Sequence, residues 1–374
     1  MKLLLFLTLG RSLEDWDKNK ILNREIYPYI ELAKKNIFTK IFSYGNNLQE
    51  TKFNLKNIEV FTLNKYQSVN SQIFNLIKVC ILILFNPKLF KCDIIKTNQV
   101  WGASAAVFLK FMINKPLVVR AGWEPFFQSS KYSLNYFKIL IFYFNSYIAY
   151  KYSDHIIVSS KHIKDFICDK FNIRDNKITV INNYIDRNLF YIKKKFSSRI
   201  SKRILFVGRL NKQKNLNELI LAISKTNYGL DIIGEGEEEN KLKKLVFKKN
   251  INVKFLGSIE NSAIGKYYNK YKLFILPSHV EGNPKVLLEA MSCGCAIICS
   301  DVDGNNSIIK HKFNGFLINT NSEAISKGIN EIMTNDNLLN KLIENSTKYI
   351  EDYCNLEKNL LIEQKIYKSL LNAK

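Results

Sequence analysis

The sequence has 374 residues, of which 47% are hydrophobic, 13% aromatic and 24% charged. That is ample for more than one packed core, and it excludes a disordered, collagenous or small disulfide-framed chain. Lysine and arginine number 56 against 33 acidic residues, a formal net charge of +23. Residues 1–200 carry 31 basic and 14 acidic side chains, and residues 201–374 carry 25 and 19. A basic first half points to an anionic partner such as a membrane surface, an anionic saccharide or a nucleic acid, although a general lysine and asparagine enrichment gives the same balance.

The chain opens with Met1-Lys-Leu-Leu-Leu-Phe-Leu-Thr-Leu-Gly10, a short apolar run. No small-residue cleavage site follows, whereas Arg11, Glu14, Asp15 and Asp17 do. A buried first strand entering a glycine turn fits this better than a secretory leader. Further strands are expected at Ile41–Tyr44, Ile58–Leu63, Asp93–Thr97, Leu117–Arg120, His155–Val158 and Ile178–Ile181, after the first at Leu3–Leu7. Residues 72–85 and 132–150 are the most apolar stretches. Each is interrupted by Lys or polar residues, and neither offers about 20 clean apolar residues, so they are expected as core or surface-docking helices and not as membrane spans.

The polar, basic and non-periodic run Tyr191–Lys202 interrupts this series, and a linker is placed at 188–202. Strands resume at Ile204–Val207, Leu230–Ile233, Val253–Leu256, Leu273–Leu276, Ala296–Cys299 and Phe316–Ile318, with helical segments such as Asn215–Lys225 and Lys285–Cys293 between them. Continuous apolar strands alternating with helices indicate parallel sheets covered on both faces. Two successive series imply an α/β protein of two doubly wound, Rossmann-like domains, 1–187 and 203–354, facing a central cleft. A C-terminal helical segment, 355–374, is expected to pack back on the first domain. Cys293, Cys295 and Cys299 lie in a small apolar stretch with poor metal spacing. They are expected as reduced, packed thiols, which suggests a reducing, cytoplasmic compartment.

The most informative segment is Ser278-His-Val-Glu-Gly-Asn-Pro-Lys-Val-Leu-Leu-Glu-Ala-Met-Ser-Cys-Gly294. A strand precedes it, Gly282, Asn283 and Pro284 form a turn, and Lys285 and Val286 open a helix that Gly294 closes. The helix start attracts phosphate through its N–H groups and dipole. Glu281 before it and Glu289 in its second turn suit sugar hydroxyls on either side, so the spacing fits a nucleotide-sugar. Two ordinary carboxylates, one capping and one solvated, fit the spacing as well.

This run resembles the signature of the retaining family 4 glycosyltransferases (group 1), which have the GT-B fold of two Rossmann-like domains. Val207-Gly208-Arg209-Leu210 and Lys214 resemble the family's diphosphate grip. Val180-Ile181-Asn182-Asn183-Tyr184-Ile185-Asp186 resembles its interdomain segment, with Asn182 in place of the usual Pro. Asp303-Gly304 and Asn314-Gly315-Phe316-Leu317 resemble two later turns. The resemblance implies that Glu281 holds the transferred sugar and Glu289 the ribose. It also implies that Arg209 and Lys214 stabilise the leaving nucleotide, with Gly208, Gly282, Asn283, Lys285 and Val286 lining the donor site. Without it, Arg209 and Lys214 are cationic surface residues as readily as ligands. Gly234-Glu-Gly236 is expected as a tight turn near the base, since the three following glutamates repel phosphate.

On the acceptor side, Gly10 and Arg11 end the first strand, and Arg120 and Trp123 flank another strand end. Many family members carry a His after that strand; this chain has none there. The diphosphate grip supplies its own cations, so neither metal nor cofactor is expected. The reading is a metal-independent, retaining glycosyltransferase of hexosyltransferase type. Its 1–187 domain would bind a saccharide or lipid-linked acceptor, and its 203–354 domain a nucleotide-sugar, in surface polysaccharide biosynthesis. It would act in the cytoplasm with peripheral contact to the inner face of an anionic membrane. The alternatives are a nucleotide-sugar epimerase of the same fold or a non-catalytic polyanion-binding protein; no nucleic-acid motif is present.

Overall fold

The computed structural model describes residues 1–46, 53, 55, 57–64, 72–122, 124–132 and 135–373. They divide into two compact units, one of Met1–Asn182 with Glu357–Lys374 and one of Asn183–Leu356.

The first unit holds a seven-stranded parallel sheet: β1 (Lys2–Phe6), β2 (Phe38–Asn46), β3 (Ile58–Asn64), β4 (Ile94–Thr97), β5 (Leu117–Ala121), β6 (His155–Val158) and β7 (Ile178–Val180). Their order is β3-β2-β1-β4-β5-β6-β7. The central strands are apolar on both faces because helices cover both, and Leu3, Leu4, Leu5, Ile94 and Ile95 are fully buried. A strand of that kind shows no alternation in its sequence.

The second unit repeats the plan with six parallel strands: β8 (Arg203–Val207), β9 (Gly229–Ile233), β10 (Val253–Phe255), β11 (Leu273–Leu276), β12 (Ala296–Ser300) and β13 (Phe316–Ile318). Their order is β10-β9-β8-β11-β12-β13. Both sheets are therefore doubly wound, and the order reverses between β1 and β4 in one and between β8 and β11 in the other. Ligands of open α/β sheets bind at the carboxyl ends of the strands beside such a reversal.

Every expected strand is present, with ends displaced by a residue at most except in β2. That strand begins at Phe38 because Phe38 to Lys40 pair in register with Lys2 to Leu4 of β1. The backbone ladder continues beyond the apolar run by which a strand is recognised.

The linker differs from expectation. The units part between Asn182 and Asn183, and residues 188–202 belong to the second unit. Phe190 is buried in its core, and the buried Arg199 donates to the carbonyls of Cys293 (2.8 Å) and Gly294 (2.9 Å). These carbonyls end the helix Lys285–Ser292, where the dipole is negative and a cation is favoured. A basic, non-periodic run reads as linker, but here one of its charges serves as a buried cap. Arg199→Ala is expected to lower the stability of the second unit by about 1–3 kcal/mol, measured as a shifted denaturant midpoint.

The chain returns to the first unit at Glu357, and the helix Leu356–Asn372 ends it. Lys96 of β4 and Glu363 of this helix form an ion pair of 2.7 Å. The Asn359 amide donates to the Asn182 carbonyl at 2.7 Å.

Candidate functional site

The site grows from the segments that follow β8 and β11. After β8 come Gly208, Arg209 and Leu210, then a 3-10 turn (Lys212–Lys214) whose cap, Asn211, accepts the Lys214 N–H. Asn215 adopts φ +57° before the helix Leu216–Ile223. Its amide donates to the Pro277 carbonyl (3.1 Å) and the Thr320 carbonyl (2.7 Å).

The loop after β11 is strapped to the same turn. The His279 N–H donates to the Gln213 carbonyl (2.9 Å), and the Gln213 amide donates to the Val280 carbonyl (2.8 Å). These bonds bring Lys214 Nζ to 2.5 Å from Glu281 Oε1, with side chains 16% and 8% exposed. Two residues singled out from the sequence thus meet across 67 positions.

The loop is braced from the other side as well. The Ser300 hydroxyl donates to the Ser278 carbonyl, and the Asn305 amide holds Ser300 (2.8 Å to its carbonyl). Gly304 lies so close that a Cβ there would fall on the carbonyl oxygen of Glu281. Only glycine lets the two backbones approach this far. Gly234 makes the same provision on the β8 side, at φ +136° against the Gly208 carbonyl.

The Asn183 amide donates to both the carbonyl and the side-chain oxygen of Asn283, at 3.0 Å each. The helix Lys285–Ser292 then starts after Pro284 with no side-chain cap. Lys285 and Val286 open its first turn, and the Leu287 N–H donates to the Pro284 carbonyl at 3.1 Å. Lys285 Nζ lies 5.6 Å from the Tyr184 ring centroid. Gly294 takes φ +73° just past the helix.

Glu289, only 2% exposed, accepts from the Tyr268 hydroxyl at 3.2 Å. Burial, with the Glu289 charge added, pushes that hydroxyl well above the usual tyrosine range. Arg209 is exposed. Among the described residues no ion pair engages its guanidinium. The arrangement offers two cations and one carboxylate at the carboxyl ends of β8 and β11, with a helix start and a buried second carboxylate beside them.

Cys293, Cys295 and Cys299 are fully buried, and Cys295 Sγ donates to the Tyr268 carbonyl at 3.1 Å. Burial raises all three thiols, Cys295 to about 12, so they pack as neutral groups. No group of three or more His, Cys, Asp or Glu among the described residues is placed to hold a metal ion.

The acceptor-side candidates lie in the first unit. Gly10 turns the chain at φ +71°, and Arg11, exposed, donates its N–H to the Thr8 carbonyl at 2.9 Å. Arg120 sits in β5, its N–H bonded to Thr97 Oγ1 at 3.2 Å. Its charge acts on the buried Glu363, a structural role that its position at a strand end does not reveal. Trp123 lies outside the described residues. The sequence alone does not single out Asn183, Gln213, Asn215 or Tyr268. Asn183 stands inside a recognised motif and Asn215 just before a helix, whereas Tyr268 carries no local signal at all.

Residues 190–349 match the family model for glycosyl transferases group 1. The second unit is a group 1 glycosyltransferase domain. The chain is 28% identical over 282 residues to the O-antigen biosynthesis glycosyltransferase WbnH of Escherichia coli, covering 74% of this chain and 79% of that one. It is 32% identical over 227 residues to a Campylobacter jejuni enzyme named N-acetylgalactosamine-N,N'-diacetylbacillosaminyl-diphospho-undecaprenol 4-alpha-N-acetylgalactosaminyltransferase, covering 59% and 61%. With that enzyme, four further curated glycosyltransferases are matched over 56–61% of their own length. Sucrose-phosphate synthase from Thermosynechococcus elongatus is similar in structure with a TM-score of 0.85 over 100% of both chains, at 16% identity. Anabaena HepE in complex with UDP and glucose gives 0.77 over 99% and 100%, at 17%. At these identities the likeness concerns fold, and the fold is GT-B: a group 1 glycosyltransferase domain with a second Rossmann-like domain.

Proposed function

We propose that this chain is a retaining glycosyltransferase that moves a sugar from a nucleotide-sugar to a saccharide or lipid-linked glycan during assembly of a surface polysaccharide. The observation that carries the reading is the Lys214–Glu281 pair at the β8/β11 reversal, beside exposed Arg209 and ahead of the helix start at Lys285. The donor diphosphate lies at that helix start, and Arg209 and Lys214 hold its charge. Glu281 accepts from hydroxyls of the transferred sugar, and Glu289, oriented by Tyr268, from the ribose.

In the reaction the bond between the anomeric carbon and the diphosphate oxygen breaks, and the bond to the acceptor oxygen forms on the same face. The acceptor proton passes to the departing diphosphate. Fixed cations stabilise the charge that develops on this leaving group, and they do so without reorganising. The same cations make a metal unnecessary in this reading. Gly10, Arg11 and Arg120 are the acceptor-side residues of the proposal. The relatives named for O-antigen biosynthesis and for a diphospho-undecaprenol-linked acceptor support the acceptor class.

A panel of nucleotide-sugars led by UDP-sugars, scored by thermal shift, tests the donor site. A true donor at 100 times its Kd should add about 2.7 kcal/mol of stability. With acceptor present, free nucleoside diphosphate should then be released at a rate unchanged by excess chelator. Absence of any stabilising nucleotide would remove the reading. Loss of turnover in chelator, restored by a divalent ion, would remove its metal-free part.

A further inference from the structure

The first unit displays an apolar surface of unusual extent. Its helix Gln72–Phe85 exposes Phe74 (60%), Ile77, Ile81, Leu84 and Phe85 (78%), which recur at intervals of about one turn and so share a face. The helix Tyr136–Tyr152 exposes Tyr136 (86%), Phe137 (73%), Leu140, Ile141 and Phe144 on one face in the same way. Between them packs the helix Ala103–Ile113, whose Phe111 and Met112 are exposed. The Phe111 ring stands 5.6 Å from that of Tyr152, joining the strip across the helices.

The opposite faces of the outer helices bury Val79 and Ile83, and Phe142 and Ala149. Both outer helices therefore carry large apolar side chains on the exposed face as well as on the buried one, and an exposed apolar face of this kind marks an interaction surface. None among the described residues is long and apolar enough to cross a membrane. What covers the outer side is decided by charge. Residues 72–152 contain ten basic and two acidic side chains, Asp93 and Glu124; of the basic ones Lys96 is buried on Glu363 and Lys110 pairs with Asp154. Glu124 is buried, and Asp93 accepts the Lys2 N–H at 2.7 Å. Lys78, Lys138 and Lys151 are exposed on the outer helices, and Lys88 is exposed in the 3-10 turn Pro87–Phe90 that follows the first.

We propose that this three-helix face docks on an anionic lipid bilayer, its aromatic and aliphatic side chains entering the headgroup boundary and its lysines meeting lipid phosphates. A second copy of the chain is disfavoured as occupant, because a two-fold contact sets the same patch against itself and brings two strongly positive surfaces together. Anionic lipid neutralises them, and each lysine near such a surface adds to the attraction. Interfacial binding of this kind combines buried apolar area with that attraction. The surface is independent of the glycosyl-transfer reading, and the site residues above play no part in it.

The test uses the full chain with phosphatidylcholine vesicles, with and without phosphatidylglycerol, in a sedimentation assay. The chain should bind the anionic vesicles far better. Salt should weaken the binding without abolishing it, because exposed charge is screened over about 10 Å at 0.1 M while apolar insertion is not. Replacing Phe74, Ile81, Phe137 and Phe144 by serine should lower partitioning by about a hundredfold or more. Replacing Lys78, Lys88 and Lys138 by glutamate should erase the preference for anionic lipid. Thermal stabilisation by donor nucleotide should survive in both variants, which keeps this test separate from that of the donor site and shows that they fold. Unchanged partitioning of the serine variant overturns the proposal. So does a wild-type chain that ignores both vesicles and sediments as a dimer that the serine substitutions dissociate.

Discussion

Lys214→Ala and Arg209→Ala are each expected to lower turnover by about 10–100-fold, the equivalent of about 1.5–3 kcal/mol of lost leaving-group stabilisation. The two losses should add less than fully in the double variant, because both cations serve one diphosphate. Lys214 carries a second consequence that Arg209 does not. Its ammonium pairs with Glu281, so removing it also strands a largely buried carboxylate. Lys214→Ala should therefore lose stability as well as turnover, whereas Arg209→Ala, at an exposed side chain with no ion pair among the described residues, should lose turnover only.

Glu281→Gln should keep the fold and reduce kcat, since its carboxylate touches the sugar whose bond is breaking. Glu289→Ala should act mainly on donor affinity, because ribose contacts are made equally in ground and transition states. Steady-state kinetics with a varied donor, beside melting curves of the same proteins, separate these outcomes. Unchanged turnover and donor binding in Glu281→Gln, Arg209→Ala and Lys214→Ala together would show that the site lies elsewhere.

The strands were legible because a strand buried on both faces is written as an unbroken apolar run, and Leu3 to Leu5 or Leu273 to Leu276 need no context to be recognised. The β2 extension was not, since Thr39 and Lys40 join the sheet through backbone pairing that leaves no mark in side-chain character. In the donor loop, Glu281 and Glu289 were visible because loop and helix fix their separation locally. The contacts that hold the loop were not visible. Asn183 reaches Asn283 across 100 residues and Tyr268 reaches Glu289 across 21, and such pairings depend on which strands become neighbours. The same limit explains residues 188–202, where Arg199 looks solvated until the helix end that it caps is folded against it.

The C-terminal helix supplies the other large expected effect. Lys96 and Glu363 are 1% and 7% exposed and 2.7 Å apart. The Tyr367 hydroxyl also donates to Glu363 at 2.7 Å, and Lys96 Nζ stands 5.2 Å from the Tyr29 ring centroid. Burial alone would raise the Glu363 carboxyl, but the Lys96 ammonium and the Arg120 guanidinium outweigh it and hold the group below its ordinary 4.5. A carboxyl lowered on folding stabilises the native state above its unfolded value, and that contribution disappears as pH falls through the lower native value. The first unit should therefore lose stability progressively in acid below about 4.5.

Glu363→Gln leaves Lys96 charged and buried without its carboxylate, and should destabilise the unit by about 3–5 kcal/mol while flattening that acid dependence. Replacing both residues, as Lys96→Met with Glu363→Leu, removes two desolvation costs together and should restore most of the loss. Trp16, Trp101 and Trp123, the three tryptophans of the chain, all belong to the first unit, so tryptophan fluorescence in denaturant follows this unit alone. A double variant as unstable as Glu363→Gln would mean that the pair tethers the helix by geometry that apolar packing cannot replace. A cost below about 1 kcal/mol for Glu363→Gln would place the pair among exposed ion pairs in strength and leave the anchoring of the helix to Leu360, Ile366 and Tyr367, which are buried beside it.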